Sequence, residues 1–325
     1  MKKVLIVLLC LILCLPGAWV VAKVIRLMRY TDGDFVFIVL DDKSAEVRQY
    51  TGRDTSVEIP SEMKGHPVSR IGSKAFEWRF WLKEITVPEG VREIGDGAFA
   101  GCTGLEKISL PDSLTSIGAG AFTQCQSLVS LAIPQNVAML GDGAFDACVH
   151  LEEISLPKTL SLPGANPFSG CRRLQTIRLP EDHPCLTAEG PILWDKQEHR
   201  LICYLQSAET DRYEVPEEME IIGSGVFTGC TFLKEIVLPD GIREIRDHAF
   251  YGCTALKEMA IPEGTKSIGN AAFSGCTGLE EMKLPESVSE IGYLAFYNCV
   301  NLSSINLPEN VRIGQDAFIG CRKLQ

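Results

Sequence analysis

A 23-residue repeat is the feature that most constrains how this 325-residue chain can fold. Each unit carries a Phe three residues before a Cys, and a Pro nine residues after that Cys; residues 104–125 read GLEKISLPDSLTSIGAGAFTQC. Ten units contain the Phe, and their cysteines are Cys102, Cys125, Cys148, Cys171, Cys230, Cys253, Cys276, Cys299 and Cys321, with Arg79 replacing the Cys of the first unit. A fixed period of about 20–50 residues indicates a solenoid.

The spacing inside one unit predicts its local structure. The run L-x-x-I-x-L at 105–110 alternates as a strand with one buried face does. Pro111 ends that strand because it lacks a backbone donor. The Ala-Phe-x-x-Cys run at 121–125 predicts a short helical turn. One unit cannot bury its apolar face alone, so stacked units should form continuous ladders of Leu, Ile, Phe and Cys.

A Gly recurs after the second Ile of each unit, as at Gly118, and Arg246 replaces it in one unit. Glycine adopts positive φ without steric penalty. If this site requires positive φ, Arg246 costs on the order of 1 kcal/mol. Otherwise the Gly reflects packing only.

The pattern L-x-x-I-x-L-P-x-x-[LV]-x-x-I-G-x-x-A-F-x-x-C recurs in phase from about Val57 to the C-terminus. It resembles the bacterial BspA-type (Treponema-type) leucine-rich repeat. The resemblance implies an α/β-type repeat solenoid, a right-handed leucine-rich repeat with a parallel β-sheet on its concave face and short helical turns on the other. It also implies a secreted or surface-attached protein that binds host or neighbouring-cell proteins, and it implies no catalytic residues.

Residues 1–22 have the features of a targeting segment. Lys2 and Lys3 precede an apolar run, and Val20, Val21 and Ala22 offer small residues for signal peptidase. The alternative is a retained membrane anchor, because the apolar stretch approaches the length of a membrane span. The chain's net charge of −11 argues against nucleic acid and against anionic membrane surfaces. Any membrane attachment is therefore expected through the N-terminal segment only.

Two stretches depart from the repeat. Residues 23–55 contain the β-prone runs Phe35–Leu40 and Ala45–Tyr50, which predict a hairpin that caps the array at 56–325. The array of about ten units is interrupted at 181–215. Short apolar runs at Ile192–Trp194 and Leu201–Tyr204 predict an inserted hairpin there. No polar cap is visible at the C-terminus, which suggests a truncated fragment or an unusual end.

The repeat cysteines occupy core positions, where a free Cys behaves as a small hydrophobe, so we expect reduced, buried thiols. A bridge between Cys185 and Cys203 stays open as an alternative. The five histidines show no metal-site or triad spacing, and we expect them on surface loops. The sequence nominates no catalytic residue, cofactor or metal site.

Candidate binding residues lie at the exposed positions of the repeat strands and in the insert. Glutamates stacked on consecutive rungs repel one another, and such a row could take a basic partner segment. Large aromatic residues are typical of binding hot spots, and the insert supplies two. The candidates are Glu235, Glu258, Glu281, Lys283, Lys107, Glu153, Arg178, Trp194 and Tyr204.

These observations predict an exported, non-enzymatic binding scaffold, secreted or at the cell surface. Its expected partner is a protein of the host extracellular matrix or of another cell surface. The alternative is a structural spacer or assembly module of a larger envelope protein.

Overall fold

The structure is a computed structural model that describes residues 28–208 and 210–324, so the predicted leader at 1–22 lies outside the described residues. Across the part of the chain that is described, no helix is long and apolar enough to span a membrane. The described chain is a solenoid of stacked coils, as predicted. Strands are numbered below in chain order.

Each coil contributes a three-residue strand, here called a front strand. Its middle residue is buried, or partly buried in β9, β19 and β27, and its outer two are more exposed, as with Ile85 between Glu84 and Thr86. The front strands are β4 (Ser56–Glu58), β7 (Glu84–Thr86), β9 (Lys107–Ser109), β11 (Ser130–Ala132), β13 (Glu153–Ser155), β15 (Thr176–Arg178), β19 (Arg212–Glu214), β21 (Glu235–Val237), β23 (Glu258–Ala260), β25 (Glu281–Lys283) and β27 (Ser304–Asn306). They pair in parallel within four short sheets, β4-β7-β9, β11-β13-β15, β19-β21 and β23-β25-β27.

Each coil also contributes a second strand, which the sequence did not predict. It ends on the second Ile of the repeat; Ile117, for example, is buried and pairs in register with Ile94 and Leu140. The second strands are β6 (His66–Ile71), β8 (Glu93–Ile94), β10 (Ser116–Ile117), β12 (Met139–Leu140), β14 (Leu162–Pro163), β20 (Ile221–Ile222), β22 (Glu244–Ile245), β24 (Ser267–Ile268), β26 (Glu290–Ile291) and β28 (Arg312–Ile313), with β5 (Glu62–Met63) antiparallel to β6.

The predicted helical turns are wrong. The segment that carries Phe and Cys is here called the Phe turn. Its backbone N–H groups donate alternately to carbonyls of their own coil and to carbonyls of the next coil. Thr123 N donates to Gly120 O in its own coil, whereas Phe122 N donates to Ala144 O of the next coil at 2.8 Å. Gly120 and Gln124 adopt φ of 56° and 60°, which interrupts the negative φ that a helix needs. The α/β description is therefore replaced by stacked β-coils, and the one helix in the described residues is a 3₁₀ turn at Gln206–Ala208.

The recurring Gly of the second strand reflects packing and not backbone conformation. Gly118 does not adopt positive φ, but a Cβ placed on it would lie 2.6 Å from the Asp96 nitrogen of the preceding coil. Arg246 does not adopt positive φ either, so no φ penalty applies to it. Its guanidinium pairs with Glu244, with Nε and Oε1 3.2 Å apart.

Besides the short β5–β6 pair, antiparallel strands stand at two places in the described chain. The cap consists of β1 (Tyr30–Asp32), β2 (Phe35–Val39) and β3 (Ala45–Tyr50), and β3 then pairs in parallel with β6. The insert consists of β16 (Leu186–Glu189), β17 (Ile192–Asp195) and β18 (Arg200–Tyr204), and β18 then pairs in parallel with β20. The last strand of each three-stranded unit therefore pairs with the first strand of a run of second strands.

The core divides at the insert into two clusters, each built around a column of stacked rings. Neighbouring ring centroids lie 4.9–5.9 Å apart, the range of offset-stacked aromatic pairs. The first column is Tyr50, Phe76, Phe99, Phe122, Phe145 and Phe168, and the second is Tyr204, Phe227, Phe250, Phe273, Phe296 and Phe318. Each column thus begins with a Tyr that ends an antiparallel unit.

The repeat cysteines are free, buried thiols, and all of them except Cys230 donate a hydrogen bond to a Phe carbonyl. The Cys125 Sγ–H donates to Phe99 O at 3.3 Å, and Cys253 donates to Phe227 O at 3.1 Å. Burial raises the pKa of Cys102 to about 12 and that of Cys125 well above its ordinary value, so both thiols stay protonated. A Cys therefore fills the core and also satisfies a buried carbonyl. Cys185 and Cys203 are free as well.

Candidate protein-binding face

Most charges of the first front strands are paired across neighbouring rungs. Lys107 Nζ lies 3.4 Å from Glu84 Oε1. Arg178 holds Glu153 with two hydrogen bonds of 2.6 and 2.8 Å, and this arrangement lowers the pKa of the Glu153 carboxyl. Lys107, Glu153 and Arg178 are therefore each ion-paired within the free protein.

The three stacked glutamates lie along a groove of about 320 Å³, here called the acidic groove. Glu258 and Glu281 stand directly opposite each other in register on β23 and β25. Glu235 on β21 lies at the same groove and pairs with Arg212, with Nη1 and Oε1 2.6 Å apart. Lys283 also lines it.

The acidic groove coincides with an opening between two front sheets. β21 and β23 are not paired, and Lys257 N lies 3.5 Å from Lys234 O, whereas the equivalent bond one coil on, Glu280 N to Lys257 O, is 2.8 Å. Within the described residues, Glu258 and Glu281 form no ion pair. Glu258 borders this opening on β23, and its exposed carboxylate faces that of Glu281 on the paired strand β25, where like charges repel.

The insert does not present its aromatic residues as a binding hot spot. Tyr204 is 4% exposed, its ring packs against Phe227 at a tilt of 39° with centroids 5.2 Å apart, and its hydroxyl forms a hydrogen bond with Thr210 Oγ1 at 3.0 Å. Trp194 is partly buried against the second core cluster, and its Nε1 is buried without a hydrogen-bond partner. Tyr204 leaves the candidate set because it offers no surface to a partner.

The expectation of surface histidines is wrong for His183, which is 2% exposed. Its Nε2–H donates to Pro157 O at 3.1 Å, while Nδ1 accepts from the Cys185 and Leu186 amides. This pattern is that of the neutral ring, and burial lowers the pKa of His183. The side chain fastens the start of the insert to the preceding coil.

Sequence reasoning missed an exposed aromatic patch near the cap. Trp78 and Phe80 are 57% and 63% exposed, and Phe80 meets Trp81 edge-on with ring centroids 4.9 Å apart. Arg53 and Arg79 flank the Trp81 ring at 6.0 and 5.7 Å. The density of aromatic residues at 77–81 (EWRFW) is a signal that could have found this patch.

Among the residues that the structure describes, no three His, Cys, Asp or Glu side chains are placed to hold a metal ion. The face offers strand positions, grooves and charge, which are the elements of a binding surface.

Stacked parallel coils with a buried Leu, Ile, Phe and Cys at fixed positions define a leucine-rich-repeat solenoid. The family described as the BspA type leucine-rich repeat region matches in six copies over residues 69–186 and 202–325. The match covers more than half of the chain, and the protein belongs to this family. No curated protein compared with the chain matches its sequence.

Solved structures of bacterial repeat proteins share the fold. A leucine-rich cell surface protein from Faecalibacterium prausnitzii is 27% identical, with 92% of this chain and 93% of that one covered and a TM-score of 0.66. A leucine-rich repeat protein from Eubacterium ventriosum is 21% identical, with 90% and 94% covered and a TM-score of 0.69. The pneumococcal vaccine antigen PcpA is 19% identical, with 88% and 93% covered and a TM-score of 0.55. The last two similarities concern the fold alone.

Proposed function

We propose that the protein is an exported, non-enzymatic scaffold that binds a protein of the extracellular matrix or of another cell surface through its acidic groove. The observation that carries the proposal is the facing pair Glu258 and Glu281, which has no cationic partner among the described residues. Membership of the repeat family and the cell-surface relative from Faecalibacterium prausnitzii support the export and binding role.

The chemistry of the groove favours a basic segment. A Lys or Arg side chain placed between Glu258 and Glu281 would relieve their mutual repulsion and form charge-assisted hydrogen bonds. The floor of the groove is apolar, since Met259 is 4% exposed beneath Glu258, and the aliphatic stem of a Lys or Arg can cover such a surface. The groove thus suits an extended segment that carries one or two basic residues.

The test is binding of the intact chain to extracellular-matrix proteins and to surface extracts of neighbouring bacteria, compared with a Glu258→Gln/Glu281→Gln double variant. We expect the double variant to bind more weakly, with slower association and a smaller loss of affinity on adding salt. The matched control is Glu84→Gln/Glu153→Gln, because these residues occupy the same repeat position but are already ion-paired.

Two outcomes would contradict the proposal. Binding that tolerates the Glu258/Glu281 change would remove the acidic groove as the site. An equal loss in both double variants would show that net charge, and not this groove, governs binding. If no matrix or cell-surface protein binds the intact chain, the spacer or assembly role becomes the better explanation.

A further inference from the structure

A second cavity, here called the junction cavity, has a volume of about 460 Å³ and lies where the two ring columns meet. The column that ends at Phe168 does not continue directly into the column that begins at Tyr204. The Phe turns on either side therefore leave a space between them. One wall comes from residues 142–169 and the other from residues 224–251. The volume lies within the range of about 300–1,000 Å³ that is typical of small-molecule sites.

The junction cavity is acidic, and neither Lys nor Arg lines it. Asp142, Asp146 and Asp247 line it, and none of the three carboxylates forms an ion pair within the described residues. Burial raises the pKa of the Asp146 carboxyl, while hydrogen bonds from Ser169 and the Ala147 amide oppose that shift. Asp146 is thus a partly desolvated carboxyl without a countercharge.

An independent observation indicates a missing hydrogen-bond donor. Asn166 lines the junction cavity and is only 6% exposed. Its Nδ2 donates to Gly225 O across the junction at 2.5 Å, which sets the orientation of the amide and leaves Oδ1 buried without a partner. A buried acceptor without a donor is costly, so a ligand N–H that reached it would bind favourably.

The remaining wall supplies an aromatic surface. Tyr251 is 45% exposed, and its ring lies beside that of His248 with centroids 5.8 Å apart. The face of a tyrosine ring attracts cations within about 6 Å. Three carboxylates, one unpaired acceptor and one aromatic face all favour a ligand that is positively charged and rich in N–H donors.

We propose that the junction cavity binds a small organic cation whose head is a primary ammonium or a guanidinium. Such a head can come from a free polyamine or from a Lys or Arg side chain of a bound protein. A metal ion suits the site less well, because no three ligating side chains in the described residues are placed to hold one. The site lies apart from the front strands and does not depend on the function proposed for them.

Isothermal titration of the intact chain with two probes tests this proposal. Spermidine represents a free polyamine and Nα-acetyl-lysine methylamide represents a protein side chain, while Nα-acetyl-norleucine methylamide is the neutral analogue. We expect one or both amines to bind and the neutral analogue not to bind. Asp146→Asn should weaken amine binding about tenfold or more, the range of one charge-assisted hydrogen bond.

Two matched pairs of variants separate the site from general effects of charge or folding. Asp142→Asn should weaken binding, whereas Asp96→Asn should not, because Asp96 holds the same repeat position and the same bond to the next coil outside the cavity. Tyr251→Ala should weaken binding, whereas Tyr297→Ala, also exposed and also one residue after the stacked Phe, should not. The exposed tyrosines keep the test valid if an Asp variant unfolds.

The proposal is overturned if neither amine binds at millimolar concentration, if the neutral analogue binds equally well, or if each control variant loses as much affinity as its partner. Binding of spermidine alone would identify a free polyamine as the ligand type. Binding of the lysine derivative would identify a protein side chain.

Discussion

The cap and the insert differ in sequence, yet they build the same structure. Each is three antiparallel strands, each hands its last strand in parallel to a run of second strands, and each ends on a Tyr that starts a column of stacked rings. The insert is therefore a second starting unit placed in the middle of the chain. The comparison teaches that the molecule contains two arrays in series. The long gap between Cys171 and Cys230 is the stretch of sequence that holds the second starting unit.

The two starting units differ in what they are attached to. In the cap, Arg79 replaces the repeat Cys and its guanidinium donates to Tyr50 O at 2.9 and 2.5 Å, so one cation binds the cap to the first coil. The insert bonds to arrays on both sides: Ser207 donates to Leu174 O and Gln206 donates to Thr228 O. Because the insert serves two arrays, the coils on either side do not stack directly, and the junction cavity results.

The largest effect should come from removing a starting ring. Tyr204→Ala should destabilise the second array by about 3–5 kcal/mol, because it leaves a cavity at the head of the ring column. Native-state hydrogen exchange should show lost protection mainly in residues 212–324, with smaller changes in residues 45–178.

Tyr50→Ala is the matched change in the first array and should give the reverse pattern. Tyr204→Phe, which keeps the ring and removes only the bond to Thr210, should cost far less. Equal loss of protection in both arrays after either alanine change would break the idea of two separate starts.

A medium effect should come from the cysteine ladder. Cys125→Ala in the first array and Cys253→Ala in the second each remove one of the two hydrogen-bond donors of a buried Phe carbonyl, since the amide of Cys102 or Cys230 still donates to it. Loss of one such bond costs about 0.5–1.5 kcal/mol. Urea unfolding should give similar losses for both, because the two arrays use the same bond.

Cys185→Ala is the control for the cysteine ladder, since that residue is only partly buried and lies outside the ladder. A loss confined to one array would show that the two ladders are not equivalent. The native thiols of Cys125 and Cys253 should also resist labelling, because burial raises the pKa of both and keeps them protonated.

The smallest effect should be a pH dependence that belongs to the insert alone. His183 is neutral in the fold and its pKa is lowered by burial, whereas in the unfolded chain it is about 6.5. The unfolded state therefore binds more protons than the folded state below about pH 6.5. As the pH falls below this value, the free energy of unfolding should decrease by up to about 1.4 kcal/mol per pH unit, until the pH reaches the pKa of His183 in the folded protein.

Thermal unfolding of the intact chain and of His183→Gln between pH 5 and 7 measures this contribution. The variant should lose part of the slope in this window, while its stability at pH 8 should fall because Nδ1 no longer accepts the Cys185 and Leu186 amides. An unchanged slope would show that other groups cause the acid sensitivity.

Much of the fold could be predicted because its elements are local and repeated. The 23-residue period, the alternation around Ile108 and the buried Phe and Cys positions all follow from residues close in sequence. The helical turns could not be excluded on that basis, since the spacing of Ala121, Phe122 and Cys125 fits a helix equally well. The β-coil forms in place of a helical turn because backbone amides such as Phe122 N donate to carbonyls of the next coil and not to those of their own.

The sequence could also group the glutamates of the front row, because stacking in register follows from the period. It could not tell which of them lack a partner. Arg178 reaches Glu153 and Arg212 reaches Glu235 from neighbouring coils, whereas Glu258 and Glu281 face each other on paired strands beside an opening between two sheets. That difference depends on side-chain reach and sheet spacing, which no linear pattern contains.

The sequence by itself determined that this chain stacks coils, because no single unit can bury its own apolar face. Only the tertiary structure decided that the insert is a second starting unit. Its role appears when Tyr204 meets Phe227, and no repeat signature marks that contact. The tertiary structure also decided where the stacking fails. An opening between coils arises from the sum of many contacts, and no individual residue specifies it.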